Sequence, residues 1–349
     1  MSLELDRLVS EIGEQPEVVA RLIDTQLTAV RALATLIRAR DPSAIVLVAR
    51  GSSDNAAVYG RYLFEVCNRR LTSLAAPSGL TLYGRGPRLD QTVVIGVSQS
   101  GQGEDVVAYV AEARDQGAIT VAIVNDENSP LAQTAAWVLA CRTGPELSIP
   151  ATKTVTAQMT LLALLSVALD AEGSSAAVLD ELPGALRTAL DGRATAAELA
   201  GLLAPTTIGS VIGRGFAFPP ALEIALKLKE TSYTRAEPFS AADFLHGPVT
   251  LVEANFSALL VDVGGRSSQS AQEIAVAVRR RGGQAALIRA GDVLAPSDLP
   301  NLSVAVPVGE PFAPIVALVL GQLFAVELAL ARGLDPALPR GLHKVTSTR

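Results

Sequence analysis

The stretch VVIGVSQSGQGED, residues Val93–Asp105, is an apolar run that changes into two serines, two glutamines and two glycines before a helix predicted to start near Glu104. The glycines keep side chains out of the turn, the serines offer hydroxyl groups, and the helix would direct backbone N–H groups toward it. These are the properties of a cradle for an anion. Serine and glycine are also common in ordinary strand-to-helix turns, and the stretch alone slightly favours that simpler interpretation.

Apolar runs on both sides of this turn predict a parallel sheet. Between residues 44 and 141, helical stretches separate the runs AIVLVAR, TSLAA, TVVIGVS, AITVAIVN and AAWVLAC. Strands that are apolar along their whole length are typical of parallel sheets with helices on both faces. The same alternation returns from residue 206 to 307, with the runs TTIGSVIG, TRAEPF, FSALLVD, GQAALIR and NLSVAVP.

The two halves of the chain indicate a duplicated unit. Residues 48–65, VARGSSDNAAVYGRYLFE, and 211–230, VIGRGFAFPPALEIALKLKE, both run from a strand through an Arg-Gly turn into a helix. The predicted fold class is α/β, with two tandem three-layer α/β/α domains and flavodoxin-like parallel sheets. The predicted boundaries are an N-terminal helical segment at 1–40, α/β domains at 41–172 and 204–332, a helical connection at 173–203, and a C-terminal tail at 333–349.

Composition excludes several functional classes. The net charge of −6 and the absence of a Lys/Arg run argue against binding to nucleic acid. No signal h-region and no uncharged apolar run of about 18 residues is present, which predicts a cytoplasmic protein without a membrane partner. The two cysteines, Cys67 and Cys141, and the two histidines, His246 and His343, are too few for a disulfide framework or a metal site. No cofactor is predicted.

Five motifs resemble the sugar isomerase (SIS) domains of glucosamine-6-phosphate synthase. They are SQSG at 98–101, ATKTVTAQ at 151–158, ALEIALKLKE at 221–230, HGP at 246–248 and LPRGLHKVTSTR at 338–349. EIGEQPEVV, at 11–19, resembles the linker that leads into the isomerase half of that enzyme. The resemblance covers nearly the whole chain but no glutaminase half. We therefore expect a stand-alone isomerase core, similar to glucosamine-6-phosphate deaminases of the SIS type and fructosamine-phosphate deglycases.

The resemblance implies a binding site for the phosphate of a sugar. The implied ligands are Ser52, Ser53, Ser98, Gln99 and Ser100, with Thr152 and Glu146 as further substrate-binding residues. Two positions depart from the synthase pattern, since Gly103 replaces a threonine and Ala151 a serine, so hydroxyl contacts are lost. Arg50 replaces a small residue. Its guanidinium could contact the phosphate through a charge-assisted hydrogen bond or form an ordinary surface ion pair, and both interpretations stay open.

A second group of residues is implied to carry the chemistry. Glu223, Lys227 and Glu230 lie at positions i, i+4 and i+7 of one predicted helix and share a face. From the residues alone, a solvated stripe of ion pairs is the usual interpretation. The resemblance instead makes Glu230 the base that moves a proton between C1 and C2 of an open-chain sugar, with Lys227 beside it as a further catalytic residue.

Two more catalytic residues follow from the resemblance. His246, as an imidazole that titrates near neutrality, is implied to open the sugar ring. In the synthase this histidine comes from the neighbouring subunit, which implies a homodimer with a shared active site. Lys344 lies in the tail, which folds over the sugar in the synthase, and its amine is implied to form a Schiff base with the keto group.

The predicted function is conversion of an aminosugar phosphate, with glucosamine 6-phosphate as the favoured substrate, into fructose 6-phosphate and ammonia. Without a glutaminase half, removal of nitrogen is more plausible than its addition. The alternatives are a fructosamine-phosphate deglycase, an ammonia-dependent synthase or simple isomerase, and a non-catalytic sensor of sugar phosphates. Retention of Glu230, His246 and Lys344 together favours an enzyme over a sensor.

Overall fold

The strands follow the apolar runs of the sequence. The computed structural model describes residues 2–170, 176–292, 297–342 and 344. In these ranges the strands are β1 (Ala44–Val48), β2 (Thr72–Leu74), β3 (Thr92–Ser98), β4 (Ile119–Val124), β5 (Trp137–Ala140), β6 (Thr207–Gly213), β7 (Glu237–Ser240), β8 (Phe256–Asp262), β9 (Gln284–Gly291) and β10 (Asn301–Ala305). Each predicted run contains most or all of one of these strands.

Helices cover most of the remaining described residues. They are α1 (Leu3–Gly13), α2 (Gln15–Arg40), α3 (Ser52–Val66), α4 (Ser78–Thr81), α5 (Glu104–Asp115), α6 (Pro130–Thr134), α7 (Lys153–Leu169), α8 (Ala176–Asp180), α9 (Leu182–Leu190), α10 (Arg193–Leu203), α11 (Phe218–Ser232), α12 (Ala241–Leu245), α13 (Ser268–Arg279) and α14 (Gly309–Ala331). Short 3-10 helices lie at Gly215–Ala217, Pro248–Leu251 and Gly265–Ser267.

The described strands form two five-stranded sheets with one topology. Their strand orders are β2-β1-β3-β4-β5 and β10-β9-β8-β6-β7, and every pairing is parallel. Read from its other edge, the second sheet runs β7-β6-β8-β9-β10, which repeats the order of the first. The predicted α/β class and the tandem duplication are confirmed.

The chain divides into two compact units, each built around one sheet. The first α/β unit comprises residues 17–146 and 153–180 together with Lys344, and the second comprises residues 2–16, 147–152 and 181–342. His343 lies outside the described residues. The helical segment predicted over 1–40 is therefore shared between the units. It is interrupted between α1 and α2, and Pro16 falls in the first turn of α2, where its missing N–H is tolerated.

The longest apolar helix lies in the core of the second unit. Among the helices in the described ranges, only α14 is long and apolar enough to cross a membrane, and 89% of its apolar window is buried within the structure. Such burial is what the core helix of an α/β layer requires. Glu310 and Glu327 bound the uncharged run of α14, so the sequence alone predicted no membrane-spanning helix there.

Candidate functional site

The serine-rich turn after β3 is held by its own hydrogen bonds. The Gly101 N–H donates to Ser98 Oγ at 3.0 Å, and the Gln102 N–H donates to Ser100 Oγ at 3.3 Å. Ser98, Gln99 and Ser100 are half-buried. A serine oxygen that accepts a hydrogen bond still has its own proton to donate. The turn therefore orients two hydroxyl groups whose protons can be donated to an anion.

Two such turns meet at the switch point of the first sheet. Strands β1 and β3 are neighbours, and from them the chain continues to β2 on one side and β4 on the other. Ligands of open parallel sheets bind where the strand order reverses in this way. Ser52 and Ser53 form the first turn of α3, after β1, and the residues before α3 and α5, Gly51 and Gly103, provide no side-chain cap. The structure thus brings the four predicted phosphate-binding serines to one edge of one sheet.

Arg50 forms an ion pair beside these turns. Its Nε and Nη2 atoms lie 2.7 and 2.6 Å from Asp105 Oδ2, in the first turn of α5. The arginine side chain is 51% exposed, whereas the Asp105 side chain is 3% exposed. Arg50 thus forms an ion pair with a buried carboxylate rather than an ordinary surface pair, and its predicted contact with a phosphate stays a prediction. Asp105 ties the loop after β1 to the helix after β3.

We expect Gly101→Ala to destabilise the first unit. Gly101 has a φ of +64°, and a Cβ atom there would lie 2.1 Å from Ser129 Oγ. Strain of this kind costs about 1–3 kcal/mol, and it would distort the turn that holds Ser98 and Ser100. Urea denaturation of the variant should show a lower midpoint than that of the wild type.

Gly103→Ala is the matched control for that substitution. Gly103 has a φ of −62°, and the nearest atom to a new Cβ would be Asp105 Oδ1, at 3.6 Å. This variant should unfold at the wild-type urea concentration. Equal midpoints for both variants would contradict the proposed constraint at Gly101. The free space also shows that packing does not impose glycine where the synthase pattern has threonine.

Glu146 is a buried carboxylate with several donors in the first unit. Its Oε1 accepts a hydrogen bond from the Thr154 N–H at 3.0 Å, and its Oε2 accepts from Thr154 Oγ1 at 2.8 Å and from Lys344 Nζ at 2.7 Å. The Glu146 side chain is fully buried and that of Lys344 is 23% exposed. Lys344 is therefore anchored rather than being a solvated end of the chain. Thr152, in the second unit, is buried, and its carbonyl accepts from Gln322 Nε2 at 3.3 Å.

The charged residues of α11 form a buried group rather than a solvated stripe. Lys227 Nζ lies 3.3 Å from Glu223 Oε1 and donates a short hydrogen bond to Glu230 Oε2. The side chains of Glu223, Lys227 and Glu230 are 1%, 3% and 17% exposed. Burial acts to lower the pKa of Lys227, but the two carboxylates outweigh it, so this pKa lies above its ordinary value. Lys227 is thus a fixed cation, and Glu230 is the most exposed member of the group.

His246 lies at the surface of the second unit. It is exposed, it ends α12, and its backbone N–H donates to the Asp243 carbonyl at 3.1 Å. The HGP turn leads directly into a short helical segment. The segment forms only the 3-10 helix Pro248–Leu251, because the chain becomes extended at Val252 before it enters β8.

Several contacts were missed by reasoning from the sequence. Thr154 lies within the ATKTVTAQ motif and Asp105 within the stretch Val93–Asp105. The sequence did not predict their contacts with Glu146 and Arg50. Tyr233, just after α11, has a φ of +54°. Its hydroxyl accepts from the Arg340 N–H at 3.1 Å, and the Arg340 guanidinium lies 4.4 Å from its ring centroid. This cation–π contact anchors the C-terminal tail at Arg340.

Comparisons with known proteins give one family. The SIS domain model matches residues 39–168 and 210–332. The glutamine–fructose-6-phosphate aminotransferase (isomerizing) of Thermococcus kodakarensis is 33% identical over 97% of this chain, which spans only 57% of the length of that relative. A candidate phosphosugar isomerase from Silicibacter pomeroyi has a TM-score of 0.86 and 33% identity, with 95% of this chain and 99% of that chain covered. The C-terminal domain of glucosamine-fructose-6-phosphate aminotransferase from Francisella tularensis has a TM-score of 0.85 at 24% identity, covering 95% and 98% of the two chains.

Proposed function

Because this chain belongs to the SIS domain family, we propose that it is a sugar-phosphate aldose–ketose isomerase whose substrate is an aminosugar phosphate. Our specific proposal is that it converts glucosamine 6-phosphate into fructose 6-phosphate and ammonia. The phosphate would bind at the serine turns of the first unit. The acid–base chemistry would use Glu230 and His246.

The observation that carries this proposal is the burial of Glu223, Lys227 and Glu230. Charged groups lose hydration when they are buried, and a buried ion pair seldom adds stability compared with apolar residues. Clusters of this kind are therefore frequent at functional sites. Glu230 is 17% exposed and is the member that a ligand can reach. This supports Glu230 as the base that transfers the proton.

In the proposed reaction, His246 opens the sugar ring and Glu230 removes the proton from C2. Return of that proton to C1, together with transfer of a proton from the amine nitrogen to the C1 oxygen, converts the amino aldose into a C2 imine. Water then adds to the imine carbon and ammonia leaves, which gives the ketose phosphate. We favour this direction because it requires only water, whereas amination requires free ammonia, which is mostly ammonium at neutral pH.

The remaining predicted residues have supporting roles in the proposal. Lys344 offers an amine that can form a Schiff base with the keto group of the product. The exposure of His246 supports a role in the site of a second copy of the chain. Homodimer formation and a cytoplasmic location stay predictions from the sequence.

We expect Ser98→Ala combined with Ser100→Ala to weaken binding of sugar phosphates. Each hydrogen bond to a charged group contributes about 1.5–3 kcal/mol, so the dissociation constant should rise at least about tenfold. Titration calorimetry with fructose 6-phosphate and with unphosphorylated fructose separates the two parts of the ligand. Ser73→Ala, which changes an exposed serine of β2, is the control. An equal loss of affinity for both sugars would contradict a phosphate site at this turn.

Ammonia release across a panel of phosphorylated sugars tests the proposed function directly. The panel holds glucosamine 6-phosphate, other aminosugar phosphates and fructosamine phosphates. Release from glucosamine 6-phosphate, with fructose 6-phosphate as the second product, is the expected result. Release of ammonia from fructosamine phosphates alone would contradict the proposed substrate and indicate a deglycase. Tight binding without turnover of any compound would indicate that the protein is a sensor of sugar phosphates and not an enzyme.

A further inference from the structure

We infer that Glu146 is the proton acceptor that activates the Lys344 amine, and that it also positions this amine. The inference rests on the proposed function, because it gives Lys344 a chemical task there. Its starting point is the 2.7 Å contact between Lys344 Nζ and Glu146 Oε2 within the first unit. The carboxylate is fully buried, whereas the lysine remains 23% exposed.

The position of this carboxylate does not depend on the lysine. Both oxygens of Glu146 accept a hydrogen bond from Thr154, one from its backbone N–H and one from its hydroxyl. Thr154 lies in the first turn of α7, where backbone N–H groups favour a negative charge. The carboxylate is therefore held by the rigid part of the unit, and the lysine is brought to it.

Lysine cannot attack a carbonyl carbon while it is an ammonium, because its nitrogen then has no lone pair. In the inferred step, the Lys344 ammonium gives one proton to Glu146 Oε2. The neutral amine adds to the keto carbon of the sugar, and the proton held by Glu146 Oε2 passes to the carbonyl oxygen, which gives a carbinolamine and restores the carboxylate. Loss of water then gives the protonated Schiff base. No oxidant or further reactant is needed.

The thiol of Cys141 does not compete for this proton. Cys141, which follows β5, is fully buried, and burial together with the charge of Glu146 raises the pKa of its thiol far above neutrality. It therefore stays a neutral thiol.

Reductive trapping of the Schiff base with cyanoborohydride tests the inference on the full chain. Each protein is incubated with fructose 6-phosphate and sodium cyanoborohydride, and mass spectrometry measures the reduced adduct on Lys344. In Glu146→Gln the trapping rate at pH 7 should fall at least tenfold. It should then recover as the pH is raised, because bulk solvent must supply the neutral amine, whereas the wild-type rate should change little. Glu65→Gln, a partly exposed glutamate of α3, is the matched control and should behave as the wild type.

Titration calorimetry with fructose 6-phosphate shows whether the Glu146→Gln variant still folds and binds its ligand. With binding retained, loss of trapping at pH 7 and its recovery at higher pH support the inference. Trapping at or above the wild-type rate at pH 7 would overturn it, and so would absence of trapping at every pH. A wild-type protein that releases ammonia but yields no adduct would overturn the inference and leave the proposed function standing. Absence of ammonia release from every compound of the panel would instead overturn the proposed function.

Discussion

Replacement of Glu230 by glutamine should abolish proton transfer while the fold and the affinity for sugar phosphates remain. Glutamine has the shape of glutamate but cannot serve as a base, and loss of a general base lowers rates by about 10²–10⁴-fold. Lys227 keeps its contact with Glu223, so the buried cation retains a carboxylate partner. Deuterium incorporation at C1 of fructose 6-phosphate in D₂O, followed by NMR, measures the transfer directly.

A matched control separates the loss of a base from the loss of a charge. Glu198→Gln changes an exposed glutamate of α10 in the same unit and should exchange deuterium at the wild-type rate. Calorimetry with fructose 6-phosphate should give similar dissociation constants for both variants and for the wild type. Wild-type exchange in Glu230→Gln would assign the base to another residue. A large loss of affinity would mean that glutamine distorts the site.

Replacement of Lys227 by methionine should destabilise the second unit more than any other single change considered above. Without the lysine, Glu223 is a buried carboxylate that has lost its cation. Glu230 loses the same cation, so two negative charges are no longer compensated. Loss of one member of a buried ion pair costs about 3–5 kcal/mol. The carboxylates of the variant can lose their charge by taking up a proton, so the loss of stability should be smaller at pH 5 than at pH 8. Urea denaturation at both pH values measures the effect.

The double variant Lys227→Met with Glu223→Gln distinguishes an unpaired charge from faulty packing. Removal of the Glu223 charge should restore part of the lost stability and reduce its dependence on pH, because less unpaired charge is then buried. If methionine merely packs badly, the second substitution should restore nothing. A wild-type unfolding midpoint for Lys227→Met alone would show that the cation is not needed to compensate the carboxylates.

Local sequence predicted most strands, because an apolar run of five to eight residues fits a parallel strand that is covered on both faces. Local sequence was a poorer guide to features that depend on tertiary packing. One helical segment was predicted over residues 1–40, but its division between the two units depends on contacts with distant residues.

In the candidate site, too, local features could be predicted from the sequence and long-range contacts could not. Short motifs predicted the serines of the turn after β3 and the charged face of α11, since spacing along a turn or helix is fixed by local geometry. The contact between Glu146 and Lys344 joins residues 198 positions apart in sequence. No local pattern encodes a contact over that separation. The same holds for the contact of Arg340 with Tyr233, 107 positions away.

The sequence order of the second unit has a consequence for folding during synthesis. Its helix α1 is made first, yet Leu5, Leu8 and Ile12 of that helix are buried in a unit whose core helix, α14, is made near the end. Gln15 Nε2 likewise donates to Gln322 Oε1, at 2.8 Å, across almost the whole chain. Domains that are contiguous in sequence can fold as they emerge from the ribosome, whereas this unit must wait for its last segment. The apolar face of α1 therefore stays exposed throughout most of translation, and during that time it is a surface for chaperones to protect.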